Sequence, residues 1–389
     1  MRKLLDYEEL NKKLDQIKGD YFFEHMPIDT TEFGYPIRYF TYGRGPYHVI
    51  LTAGTHSVEL ITTHFLIHIM EKLVTHEFLD PELYTIHLLP MLNPEGNIIV
   101  TSAIRSLITR ETTEQEEQLY CIQYFANSKL EDIYSQKHDD QGIKLQNWMF
   151  RYADENCIDA KHDRLKKQVK RIIHTYNLPR GALIHWSSNG SGIDLNANVE
   201  TGRYMKETQA GIPVWKNGGM NTINRTTPGP VGCPMRKGTF QYEKENDALL
   251  TFYKAVAEQY KVIGGFIYHS CGNEVWYLDQ ITGQPNPWKK ITSKEYKGNK
   301  DIAKFFQKQT GATLYKNKDY YTMNTYLQTI VPNTLLVEMG PIRATPLSQF
   351  IDQSVGYIDY PIYTTTIETQ TKALKNTIEQ MLETYQQRK

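Results

Sequence analysis

Hydrophobic positions along the chain fall into two recurring patterns. Residues 49–54 (VILTAG) form an apolar run ending in glycine, and apolar side chains then recur at helical spacing through residue 74. The first pattern predicts a buried β-strand and the second a helix packed against it. The same sequel begins at residue 84, where YTIHLLPMLNPEGN reads as another apolar strand ending in an Asn-Pro-Glu-Gly turn. GGFIYHS (264–270) and NTLLVEMG (333–340) are further strand candidates. Helical spacing marks 244–260 (KENDALLTFYKAVAEQY) and 364–388, and the N-terminal residues form an amphipathic helix. Strands alternating with helices predict an α/β fold, a sheet covered on both faces. Residues 102–178 differ: they are rich in charge, helix formers and aromatics, with DRLKKQVKRIIHTY (163–176) as the clearest amphipathic helix. With no repeat or low-complexity linker, the chain is expected to be one domain, 1–389, carrying a helical insertion at 102–178.

Composition narrows the class. A chain of 389 residues with 40% hydrophobic content can bury a large core. Lys plus Arg equal Asp plus Glu at 44 each, so no global field draws the molecule to nucleic acid or to an anionic membrane. No uncharged apolar stretch approaches the roughly 18 residues of a membrane span. Acidic residues from Asp6 onward interrupt any signal-peptide run, which leads to a cytoplasmic expectation. Cys121, Cys157, Cys233 and Cys271 include no CxxC pair, so buried thiols are expected rather than disulfides or a thiolate metal site.

Candidate chemistry gathers at predicted strand ends. His56 and Glu59 lie in Gly-Thr-His-Ser-Val-Glu, where a strand gives way to a helix. A helical turn between them would bring an imidazole and a carboxylate together, and a carboxylate beside neutral histidines offsets much of the charge on Zn²⁺. HxxE also arises by chance in a chain with 12 histidines, and turn-capping by His56 is the other reading of the pair alone. His269, after the apolar run GGFIY, is a candidate third ligand, and two His with one Glu leave a position open for water. His64 and His68 are spaced i,i+4, but Phe65 occupies the place of the Glu in HExxH, so they read as structural. Glu338 ends the apolar run NTLLVEMG, a costly place for a carboxylate unless it meets a cation or a bound water, which makes it a candidate general base.

In order, GTHSVE, LPMLNPEG, GSGIDLNAN, IYHS and LLVEMG resemble the zinc carboxypeptidase family, from about Tyr47 to Gly340. The resemblance implies a three-layer α/β/α fold with a central mixed twisted sheet and one Zn²⁺ on His56, Glu59 and His269. It also implies hydrolysis by a metal-activated water with Glu338 as base, and Asn196 holding a polar group of a peptide substrate. Where the family has Asp-Leu-Asn-Arg to grip a substrate carboxylate, this chain reads Asp194-Leu195-Asn196-Ala197. Alanine cannot supply a guanidinium's bidentate grip, which leaves Arg203 and Arg225 as substitutes. Arg180 is nearest the family's carbonyl-polarising arginine, and Tyr315 is the candidate for its active-site tyrosine. Bacterial peptidases that cut the γ-D-glutamyl–diaminopimelate bond of peptidoglycan also depart from Asp-Leu-Asn-Arg and are similar around GTHSVELITT. A muropeptide substrate is therefore expected. A carboxypeptidase with relocated carboxylate binding, an N-acyl amino acid deacylase and a non-catalytic peptide-binding protein are the alternatives.

Overall fold

The computed structural model describes residues 5–108, 155–176, 178, 183, 186–200, 227–229, 232–236, 238, 240–270, 272–279, 293–317, 322–340 and 361–387. Eight strands form one sheet: β1 (Phe22–Glu24), β2 (Phe40–Tyr42), β3 (Tyr47–Thr52), β4 (Tyr84–Leu89), β5 (Val262–Ser270), β6 (Glu274–Leu278), β7 (Thr313–Asn317) and β8 (Thr334–Met339). Their spatial order is β1-β2-β4-β3-β5-β8-β6-β7. The inner four, β4-β3-β5-β8, are parallel neighbours. β2 and β6 join them antiparallel, so the sheet is mixed.

Period two along the strands separates two cores. Val49, Leu51, Phe266, Tyr268, Leu335 and Val337 face one cluster, while Ile50, Leu89 and Ile267 face the other. Over the first face lie α1 (Tyr7–Gln16), α2 (Leu60–Leu73) and two later helices, α6 (Ser293–Thr310) and α8 (Pro361–Gln386). Over the second lie α5 (Lys244–Gln259) and α7 (Met323–Ile330). Apolar surface covered on both sides explains why the inner strands read as continuous hydrophobic runs. β5 carries Gly264 and Gly265 where α8 and the neighbouring strand β3 press close. A Cβ at Gly264 would meet Met381 Sδ of α8 at 2.5 Å, and one at Gly265 would meet the Ile50 carbonyl at 2.8 Å.

One expected turn is a helix start. Asn93-Pro94-Glu95-Gly96 opens α3 (Pro94–Ile108), with the Asn93 side chain accepting from Gly96 N at 2.9 Å and proline in the first helical position. That position needs no amide hydrogen, so proline suits it as well as it suits a turn. α3 runs across residue 102, where the insertion was expected to begin. Of that insertion, 109–154 lie outside the described residues, and α4 (Asp163–Thr175) buries Leu165, Val169, Ile172 and Ile173 on one face. Cys233 is a buried thiol pushed by burial up to about 12, and Cys121 and Cys271 lie outside the described residues. Among the described residues no helix is long and apolar enough to cross a membrane.

Candidate metal centre

The site is built where the parallel strands end. β3 delivers the chain into a loop that turns through Gly54, whose φ of +70° and whose contacts leave no room for a side chain: a Cβ would lie 2.7 Å from Thr63 Oγ1. Glu59 N then donates to the His56 carbonyl at 3.2 Å, and Glu59 leads into α2. That turn brings His56 Nδ1 to 2.8 Å from Glu59 Oε1. Residues 186–188 hold the loop from outside: Ser57 Oγ donates to the Trp186 carbonyl, and Asn93 Nδ2 bridges the carbonyls of Thr55 (3.1 Å) and Ser188 (3.0 Å).

His269 arrives from the end of β5, the strand beside β3, and its Nδ1 lies 3.0 Å from Glu59 Oε2. Both imidazoles thus turn Nδ1 toward one carboxylate, with ring centroids 4.8 Å apart. Each Nε2 faces a polar partner: Asp194 Oδ1 lies 3.2 Å from His56 Nε2, and Asn324 Nδ2 lies 3.1 Å from His269 Nε2. Asp194 is fixed by accepting from the backbone of Asn196 at 2.9 Å and Ala197 at 3.3 Å. Burial alone would raise the Glu59 carboxyl, but the two imidazoles override it and hold it down to about 2. Burial works against protonation of His56, yet Glu59 and Asp194 raise it well above the ordinary histidine value.

This donor set fits Zn²⁺. Potential ligand atoms of His56, Glu59 and His269 all lie within 4.8 Å of one another, the one such group among the described residues. Glu59 Oε2 is buried, and its one close polar neighbour, His269 Nδ1 at 3.0 Å, makes no well-directed hydrogen bond to it, a cost that a cation held by this group would remove. Two imidazoles and a carboxylate, with the outer imidazole nitrogens hydrogen-bonded, are the ligands of open zinc sites.

Glu338 lies directly across from His269 on β8, and Glu274 lies across from Glu338 on β6, so the three share a sheet face. Burial pushes the Glu338 carboxyl up to about 7, with Glu59 and Glu274 adding to the rise and the two histidines opposing it. Asn196 is half-buried beside this group, its carbonyl accepting from Met323 N at 2.8 Å. Tyr315 is not brought to the cluster. It lies 40% exposed on the edge strand β7, stacked on Trp276 at 4.6 Å, three strands from His269. Arg180, Arg203 and Arg225 lie outside the described residues. His64 and His68 are half-buried on α2 and join no ligand group among the described residues. Sequence reasoning missed the partners of the two imidazoles: Asp194 was legible as part of a motif but not as His56's partner, and Asn324 carries no signal beyond a polar residue early in a helix.

Solved structures resemble this architecture at low identity. Bovine thrombin-activatable fibrinolysis inhibitor, in complex with tick carboxypeptidase inhibitor, superposes with a TM-score of 0.52 at 10% identity, covering 98% of each chain. A second structure of thrombin-activatable fibrinolysis inhibitor gives 0.50 at 10% identity over 97% of this chain and 73% of the other. Carboxypeptidase A from Helicoverpa armigera gives 0.45 at 12% identity, covering 95% and 71%. No curated protein matches the chain in sequence. The description of the zinc carboxypeptidase family, however, matches residues 24–384. With that match spanning nearly the whole chain, and with a His-Glu-His group at the ends of adjacent parallel strands, the protein belongs to the zinc carboxypeptidase family.

Proposed function

We propose that this zinc-dependent metallopeptidase cleaves the amide bond between a γ-D-glutamyl residue and a diamino acid in peptides derived from peptidoglycan. The observation that carries the substrate reading is Ala197, 1% exposed, in the motif position where the family uses an arginine to hold a substrate's C-terminal carboxylate. Without that guanidinium, position 197 lacks the fork by which the family recognises ordinary peptide C-termini.

His56, Glu59 and His269 would hold the metal. Zn²⁺ there supplies Lewis acidity, polarising the scissile carbonyl and making a water acidic enough to lose a proton near neutral pH. Glu338, on the same sheet face as His269, takes that proton and returns it to the leaving amine, a role suited to a carboxyl held near 7. Asp194 keeps the His56 ring oriented, and Asn196 offers its side chain to a polar group of the substrate. Arg180 polarises the carbonyl, and Arg203 and Arg225 meet the substrate's carboxylates.

The test is product analysis. The protein is incubated with a stem peptide containing γ-D-glutamyl-diaminopimelate, with an ordinary peptide of free C-terminus, and with an N-acyl amino acid. Cleavage of the γ-D-glutamyl bond alone is the expected result. Stepwise release of C-terminal residues from the ordinary peptide would overturn the substrate reading and leave a carboxypeptidase with relocated carboxylate binding.

A further inference from the structure

The two imidazoles of the metal group have unlike partners. His56 Nε2 faces a carboxylate, Asp194, that can only accept a hydrogen bond when ionised. With a cation beside Glu59, that contact keeps the proton on Nε2 and turns the Nδ1 lone pair inward; without one, Nδ1 faces the Glu59 carboxylate at 2.8 Å. His269 Nε2 faces the amide of Asn324, which is 2% exposed and comes from the first turn of α7. An amide carries a donor and an acceptor at the same reach, exchanged by a half-turn of its terminal group. With Nδ2 toward the ring, as it stands here, it matches an imidazole protonated at Nδ1 and facing Glu59 Oε2. With Oδ1 toward the ring it matches one protonated at Nε2, whose Nδ1 is open to a cation.

We infer that Asn324 is the positioning residue of this centre: by turning Oδ1 toward His269 Nε2–H it selects the tautomer whose Nδ1 can bind the metal. The inference rests on the assignment of His56, Glu59 and His269 as metal ligands. The turn of chain that carries Asn324 is itself tied to the candidate substrate loop, since Met323 N donates to the Asn196 carbonyl at 2.8 Å. Asn196 Oδ1 also lies 3.5 Å from Asn324 N. Substrate contact at Asn196 and orientation of His269 therefore share one helix start.

The experiment measures zinc affinity by chelator competition in the full-length chain for the parent, Asn324→Leu and Asn324→Asp. Leucine keeps the volume and removes the acceptor, and its zinc dissociation constant is expected to rise about 10–100-fold, the range for losing such a partner. Aspartate restores a permanent acceptor and is expected to bind zinc at least as tightly as the parent. In ¹⁵N-histidine spectra of the zinc-loaded protein, His269 should show a protected Nε2–H in the parent and the Asp variant. That signal should be lost with leucine, which a merely structural role for Asn324 would not produce. Equal zinc affinity in parent and Leu variant overturns the inference while leaving the metal centre intact; a parent that binds no zinc removes the metal assignment itself. If the Leu variant does not fold, the Asp variant decides: affinity at or above the parent's supports the inference, and a tenfold loss overturns it.

Discussion

Glu338 illustrates what one side chain's position dictates. A carboxyl held up to about 7 by burial is half-ionised near neutrality, and only the ionised form accepts a proton. Activity should therefore rise with pH on its acid limb. A cation in the adjacent group favours the carboxylate, so the inflection is expected below 7 in the zinc-loaded enzyme. Replacing Glu338 with Gln should leave zinc stoichiometry unchanged and lower kcat/KM on the order of 10²–10⁴-fold, since general-base catalysis contributes that much. A Gln variant with parental kcat/KM would show that another group takes the proton. His56, Glu59, His269 and Glu338 stand out in sequence through the ordered motifs that resemble the family, and Glu338 also because a carboxylate ending an apolar run needs a partner. Asn324 does not: in MNTYLQTI it is one of several polar residues with ordinary helical spacing, and only the fold turns it onto His269.

At the level of elements, legibility followed burial. Strands β3, β4, β5 and β8 are the inner ones, parallel to their neighbours within that group and covered on both faces, and each appears in sequence as a continuous hydrophobic run. The four outer strands are three to five residues long, and FFE or TLYKN carries too few apolar positions to separate strand from loop. Asn-Pro-Glu-Gly was ambiguous for a different reason, because turns and helix N-termini favour the same residues. The glycines of β5 are a testable element. Gly265→Ala would set a methyl 2.8 Å from the Ile50 carbonyl, so β3 or β5 must shift, and a loss of about 1–3 kcal/mol is expected in urea unfolding. An unchanged midpoint would mean that the strands separate without cost.

The candidate metal ligands are residues 56, 59 and 269, so an ion bound there would tie distant parts of the chain. Zinc at a thousandfold its dissociation constant should stabilise the fold by about 4 kcal/mol, seen as a Tm that falls on chelation and recovers on adding metal. His56→Ala should abolish that shift, and a variant that kept it would place the ion elsewhere. Proton linkage acts along β3 and β4. His48 Nδ1 lies 2.8 Å from His87 Nε2, and Tyr39 OH lies 2.7 Å from His87 Nδ1. Burial depresses His48 to about 4, and burial with the neighbouring histidines depresses His87 to about 3, so both are neutral in the fold. The unfolded chain then binds protons first as pH falls below 6.5, so their contribution is complete above that value and is lost toward 4 and 3. Glu95, held up to about 7 by burial, acts in the opposite sense, so the histidines are read by difference. The fall in stability between pH 7 and 5 should be smaller in His48→Phe than in the parent, and equal slopes would remove the pair from the linkage. Ala197 has a consequence on this scale as well. Its methyl is enclosed, and its amide helps hold Asp194 against His56. Ala197→Arg would have to force a long cation through packed chain and disturb the brace of a metal ligand. Restoring the family's arginine at this one position should therefore weaken zinc binding, because the closed loop around residue 197 has to open to admit it; chelator competition on Ala197→Arg checks this, and parental zinc affinity would show that the loop opens without cost.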